Sequence, residues 1–175
     1  MTFDNYLVRL ATMEDLDSYY SMIAHNRARL ERFFAGTVAR TQTFEATRTH
    51  LEAVMEKMQN KTYFLFLIID TNTGAFAGSV DMKNFDWTIP KAEIGYYADV
   101  AYEGKGVVSK AVSKVIEFGF DELKLIKIFL RANEVNKASI AVALKNGFEL
   151  EGTIRREYRT TDGEIVDAMY FGLLR

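Results

Sequence analysis

The stretch KAEIGYYADVAYEGKGVVS, Lys91 to Ser109, constrains the fold more than any other part of the chain. Ala92 to Val100 reads as a strand and Gly104-Lys105-Gly106 as a tight turn. Val108, Ala111, Val112 and Val115 then recur at the i, i+3, i+4, i+7 spacing of a buried helix face. A strand that turns directly into a helix aims consecutive backbone N–H groups, and the positive end of the helix dipole, at one point. Such a point suits a phosphate or pyrophosphate. The spacing excludes two familiar sites. A P-loop needs a glycine where Asp99 stands, and here Gly106 rather than Ser or Thr follows the lysine. A dinucleotide-binding fingerprint needs a third glycine where Ser109 stands, and it opens a domain, whereas this turn lies past the middle of the chain. An anion site of another type and an ordinary glycine turn remain as competing readings.

The rest of the chain supplies a sheet and helices to cover it. Tyr6–Leu10 reads as a short strand, and Thr12 as an N-cap before a helix carrying Leu16, Tyr19, Tyr20 and Ile23. Arg29 to Gln42 breaks the period and reads as a loop or short helix with Phe33 and Phe34. A second helix carries Phe44, Thr47, Leu51, Val54, Met55 and Met58. Tyr63–Ile69 is continuously apolar, as a strand buried on both faces is. The turn Asp70–Gly74 leads into a strand over Ala75–Lys83, and Asn84–Pro90 forms a loop holding Trp87. Beyond the central junction come a strand over Lys124–Arg131, a short helix over Asn136–Asn146 with Gly147 after it, and a strand over Phe148–Arg159. The turn Asp162-Gly163 then returns the chain along Glu164–Leu174. The order predicts an α/β (α+β) fold: a mixed, mostly antiparallel twisted sheet of about seven strands, with helices on both faces. At 175 residues, with no repeat and a single proline, the chain reads as one domain, 1–175.

A net charge of −2 gives no ground for nucleic-acid binding. The absence of cysteine excludes disulfides, thiolate metal sites and a thiol nucleophile, and accords with a cytoplasmic protein. The opening residues lack a signal-peptide pattern, and Tyr63–Ile69, the longest apolar run, is too short to span a bilayer.

Three blocks carry a resemblance over essentially the whole chain: Ala92 to Val112, Asn136 to Tyr158 (NKASIAVALKNGFELEGTIRREY) and Asp162 to Leu174 (DGEIVDAMYFGLL). In this order they resemble the Gcn5-related N-acetyltransferase (GNAT) superfamily, and within it the Rim-type ribosomal-protein N-terminal acetyltransferases. The family's pyrophosphate motif, Gln/Arg-x-x-Gly-x-Gly/Ala, is met here by Glu103, Gly106 and Val108, so two of its three defining positions depart.

The resemblance implies acetyl-CoA as cosubstrate and no metal. Backbone groups of Gly104, Lys105, Gly106, Val107, Val108 and Ser109 would hold the pyrophosphate. Tyr97, Ala98, Asp99 and Val100 would pair with the pantetheine arm as an added strand does. An N–H near Tyr97 or Ala98 would polarise the acetyl carbonyl. Asn136 and Ser139 would face the other side of the arm, although Asn136 also suits a helix cap. With no cysteine, and with His25 and His50 read as surface residues, direct attack by the acceptor amine is the implied chemistry. Glu157 is the preferred general base and Glu93 the alternative; for Glu157 an ion pair with Arg155 or Arg159 competes. Where many relatives carry a tyrosine that protonates the leaving thiolate, this chain has Ala143, and Ser139 would take that role. The acceptor would be a protein N-terminus or a small amine (an amino acid, polyamine or antibiotic), with no membrane partner and a homodimer as the family-level expectation; because Glu103 and Val108 depart from the motif, a non-catalytic acyl-CoA-binding module of the same fold is the competing reading. The Arg29–Gln42 segment, the Trp87 loop and the C-terminal hairpin would wall its groove.

Overall fold

A computed structural model describes residues 1–175. Eight strands and five helices follow in the order β1 (Thr2–Phe3), β2 (Tyr6–Leu10), α1 (Leu16–Phe33), α2 (Ala35–Arg40), α3 (Phe44–Gln59), β3 (Phe64–Asp70), β4 (Phe76–Asp86), β5 (Lys91–Ala98), α4 (Val107–Asp121), β6 (Lys127–Ala132), α5 (Lys137–Lys145), β7 (Glu149–Arg159) and β8 (Ile165–Leu174). The strands form one sheet in the order β1-β2-β3-β4-β5-β6-β8-β7. Every neighbouring pair is antiparallel except β5 and β6.

Both faces of the sheet are covered. The period-two alternation of β3 sends Phe64, Phe66 and Ile68 into a core shared with Val108, Ala111, Val112 and Val115 of α4. Leu65 and Leu67 go the other way, into a core with Tyr19, Ile23 and Leu30 of α1 and Leu51 and Val54 of α3. Two buried faces explain why this strand is apolar without a break. In β5 the same alternation sends Ala92, Ile94 and Tyr96 toward α4 and Tyr97 toward α1 and α3. The helix starts follow their caps: the Thr43 side chain accepts from the Ala46 N–H at 3.1 Å, and that of Asn136 from the Ser139 N–H at 3.1 Å.

Three expectations need adjusting. The sheet has eight strands rather than about seven, because the chain turns at Asp4 (φ 43°) and pairs Thr2–Phe3 back on β2. Helix α1 runs through Arg29 to Phe33, since Asn26 and Leu30 continue its buried stripe, and Ala35–Arg40 forms α2, so of the loop or short helix expected over Arg29–Gln42 the helical reading holds, with α1 extending into it. Strand β5 stops at Ala98; Val100–Tyr102 is a 3-10 turn whose Ala101 N–H is capped by the Asp99 carboxylate at 2.9 Å. No helix is long and apolar enough to cross a membrane.

The parallel pair is short. Lys91, Ala92 and Glu93 of β5 face Lys127, Ile128 and Phe129 of β6, and from Ile94 onward the two strands part. On its other side β5 stays paired with β4 as far as Ala98, opposite Gly78. That glycine is required: its φ is 153°, and a Cβ there would lie 2.3 Å from the Tyr97 carbonyl oxygen. Gly78→Ala is expected to destabilise the protein by about 2–4 kcal/mol, from backbone strain plus overpacking. Gly74→Ala, at φ 73° with open space around it, should cost about 1 kcal/mol. Urea unfolding midpoints of the two variants test the difference.

Candidate active site

The parting of β5 and β6 leaves main-chain groups without a strand partner. The Asp99 N–H donates to the Ala77 carbonyl of β4 at 2.9 Å, whereas the Ala98 carbonyl is approached by the Arg29 guanidinium at 3.4 and 3.5 Å. By strand alternation Tyr96 and Ala98 turn their N–H groups toward the gap and Tyr97 turns toward β4. Past the end of β5, Gly104 (φ 69°) and Gly106 (φ 74°) carry the chain into α4, with nothing within 4 Å of where a Cβ would stand. Gly106 is the N-cap and offers no side chain, and no backbone N–H from Gly104 to Ser109 donates to a protein acceptor. This cradle has the room and the aimed donors that a diphosphate needs. Glu103, the acid at its entrance, is matched by Arg29 of α1. Asn26 fixes that arrangement: it donates to Asp99 at 2.6 Å, accepts from the Val100 N–H at 2.9 Å, and accepts from Arg29 at 2.7 Å.

A cavity of about 510 Å³ opens beside the gap, between the sheet and α1–α3. Arg131 of β6 organises its floor. Its guanidinium binds both oxygens of Glu93, at 2.8 and 3.2 Å, and reaches Glu157 Oε1 at 3.2 Å. Glu93 is buried, and Asn84 donates to it at 2.7 Å as well. Burial works against the charge of Arg131, but the two carboxylates outweigh it and raise its pKa. Tyr170 donates to Glu157 Oε1 at 2.9 Å, while Oε2 has no protein partner. A bulge aims this side chain. Between Ile154 and Tyr158 the register of β7 shifts by two residues against β8, and Arg156 takes φ 56° with its N–H held by Asp167 at 2.9 Å. Deeper in the cavity, Lys83 and Tyr63 bind Asp81 at 3.2 and 2.8 Å. Gly95 makes space for that group, since a Cβ there would fall 2.5 Å from Asp81 Oδ1.

The sequence from residue 6 to residue 149 matches the acetyltransferase (GNAT) domain family. The chain belongs to the GNAT acetyltransferase family. YdaF of Bacillus subtilis, provisionally named a ribosomal N-acetyltransferase, is 28% identical over 179 residues, covering 98% of this chain and 92% of YdaF. Spermidine N(1)-acetyltransferase of Escherichia coli is 29% identical over 85 residues, covering 49% of this chain and 46% of that enzyme. The structure of RimL, a ribosomal-protein α-N-acetyltransferase in complex with coenzyme A, superposes with a TM-score of 0.90 at 21% identity, covering 98% of this chain and 95% of RimL. That likeness is one of fold.

Within this GNAT acetyltransferase Glu157, Glu93, Asn136 and Ser139 line the one cavity, while Gly104 to Ser109 form the cradle beyond it. The side chains of Val107, Val108 and Ser109 point into the protein, and Ser109 Oγ accepts from Asn146 at 3.1 Å. Lys105 lies over the Tyr102 ring, and Lys110 pairs with Asp4. The Asp99 carboxylate is occupied by Asn26 and the 3-10 turn; the Val100 side chain is exposed. Glu157 pairs with Arg131, not with Arg155 or Arg159. Phe33 and Phe34 line the cavity; Trp87 does not, and stacks instead on Phe85 at 5.1 Å.

Besides Arg131, two residues escaped the sequence. The Tyr96 hydroxyl lies 3.3 Å from Ser139 Oγ and donates to the Ser139 carbonyl at 2.8 Å, on the side of the gap where Ala143 leaves no tyrosine. Burial pushes its pKa up to about 12, so it stays protonated. His50 lines the cavity rather than the outer surface; burial, then Arg40 and Lys57, push its pKa down to about 4.

The C-terminal hairpin bridges the cavity. Tyr158 donates to the Phe33 carbonyl at 3.4 Å and Thr161 to that of Glu31, both at the end of α1. A second cavity of about 930 Å³ lies against this bridge, and Arg32, Phe33 and Thr160 line both.

Arg131→Ala is expected to cost about 2–4 kcal/mol, because it strands the buried Glu93 charge, while Arg131→Ala combined with Glu93→Leu should recover much of the loss. Urea denaturation of both variants checks this. The His50 pKa is lowered by folding, so the unfolded chain takes up a proton first as pH falls below about 6.5. Stability contributed by neutral His50 is therefore full above pH 6.5 and is lost down to about pH 4. His50→Gln should lose less stability than wild type between pH 7 and pH 4, as read from urea midpoints across that range.

Proposed function

We propose that the protein transfers the acetyl group of acetyl-CoA to the α-amino group of a protein, as the ribosomal-protein acetyltransferases do. The cradle from Gly104 to Ser109 would hold the diphosphate of coenzyme A. The free edge of β5 would align the pantetheine arm, with the Ala98 N–H positioned to polarise the thioester carbonyl. The acceptor amine attacks that carbonyl directly, because the chain has no cysteine to form an acyl-enzyme. Juxtaposing the two reactants supplies much of the rate. Tyr96 and Ser139 stand where the leaving thiolate would take up a proton.

Glu157 carries this reading. One of its oxygens is fixed by Arg131 and Tyr170, and the other is free in the cavity to take a proton from the amine, directly or through a water. Glu93 has both oxygens bound by Arg131 and a further bond from Asn84, so it positions Arg131. An α-amine, with a pKa of about 7.7–8.0, is partly neutral near pH 7, whereas a lysine amine near 10.4 is not. A single half-exposed carboxylate suits the former. Spermidine acetylation is less well supported, because every carboxylate lining the cavity already has a protein partner.

Glu157→Gln should lower kcat on free-N-terminus peptides by about 10²–10³ at pH 7. The deficit should narrow as pH rises and the ammonium loses its proton unaided. In both proteins acetyl-CoA at about 100 times Kd should add about 2.7 kcal/mol, or roughly 5–11 °C in Tm. No thermal shift would sink the cofactor assignment; a shift with undiminished kcat in the variant would sink Glu157 as base.

A further inference from the structure

The cavity holds more positive charge than its own carboxylates use. Asp81, Glu93, Glu157 and Asp167 line it, and each is engaged: by Lys83 and Tyr63, by Arg131 and Asn84, by Arg131 and Tyr170, and by the Arg156 N–H. Arg32, Arg40 and Lys57 line the same cavity, yet none forms an ion pair or donates a side-chain hydrogen bond within the protein. They come from three different helices, each from the last turn. The helix dipole favours a cation at each of those ends singly. It does not require that all three face one cavity. Arg40 is turned against Gly36, another lining residue, where a Cβ would come within 3.0 Å of its Nη2. His50 of α3 lines the same cavity, and burial first, then Arg40 and Lys57, push its pKa down.

From these three cations without an ion-pair partner around a partly enclosed space, Arg32 resting on the Phe33 ring, we propose that the cavity selects acceptors carrying a carboxylate or phosphate near the reacting amine. This rests on the acetyl-transfer reading above and narrows its substrate class. For a protein acceptor, the anionic group is an acidic or phosphorylated side chain within the first few residues. Three cations facing one space attract such an acceptor and disfavour acceptors rich in amines by direct repulsion. The preference should weaken as salt is raised, since the three cations sit at the exposed mouth.

The test uses peptides with a free N-terminal serine followed by aspartate, phosphoserine, alanine or lysine, together with aspartamide and alaninamide. Binding to the CoA-saturated protein is measured by calorimetry, so the comparison does not depend on turnover; kcat/KM is measured alongside. The aspartate or phosphoserine peptide should bind about tenfold tighter than the alanine peptide, a difference of about 1.4 kcal/mol. Arg40→Ala with Lys57→Ala should bring that ratio to about one, and Lys57→Glu should turn the preference toward lysine. Thermal unfolding and CoA affinity of the variants confirm folding. A stronger response to phosphoserine alone identifies phosphate as the source, and equal responses identify charge. Equal affinity for the aspartate, phosphoserine and alanine peptides, or a preference that survives the double variant, overturns the anion site and leaves the acetyltransferase reading in place. Tighter binding of aspartamide than of alaninamide, with no peptide bound, overturns the protein acceptor and supports the anion site. Failure of every one of these amines to bind overturns both.

Discussion

The site exists because two parallel strands separate after three residues. Had β6 continued along β5, the main-chain groups of Tyr96 and Ala98 would have been consumed inside the sheet. The separation is stabilised from both sides. β4 holds β5 straight to its end, where Gly78 allows the Tyr97 carbonyl to come close. β6 is drawn instead to β8, with which it pairs along its whole length from Lys127 to Ala132. The space between is bridged by side chains: Arg131 across to Glu93, and Tyr96 across to Ser139. A short parallel ladder thus becomes a wedge whose walls are polar and whose main-chain donors are available.

Arg131 joins the fold to the chemistry. Burying Glu93 costs desolvation that only a well-placed cation offsets, and the guanidinium fork has donors left for Glu157. The two carboxylates are thereby unlike: one is enclosed and fully bonded, and the other keeps an oxygen in solvent. On the cradle side, Arg29 performs a comparable function for Glu103, whose charge at the entrance would otherwise oppose a phosphate.

How much of this was legible follows from the range of each interaction. The sheet, the two-sided burial of β3 and the strand–turn–helix junction are written in local periodicity, and were readable. So was the gathering of Glu93, Glu157, Asn136 and Ser139, through the family blocks. Arg131 was not, since its partners lie 38 and 26 residues away and nothing near it in sequence marks it. The bulge that aims Glu157 depends on a positive φ at Arg156, an arginine, where no glycine announces it. Tyr96 and His50 did leave signals. Tyr96 alternates with Ala92 and Ile94 and so had to face α4 and α5, and His50 precedes Val54 by one helical turn on the buried side of α3.

The hairpin bridge has a consequence of its own. Tyr158 and Thr161 fasten the β7–β8 hairpin to the last carbonyls of α1, closing a loop of structure beside the residues that line both cavities. While that loop is closed, a polypeptide acceptor would enter beneath it by threading end-first, as a lace passes an eyelet, rather than by being laid in sideways. For a protein acceptor of the kind proposed above, discrimination between a chain end and a chain interior would then be a matter of topology, enforced by two hydrogen bonds to main-chain carbonyls and independent of which side chains the incoming chain bears.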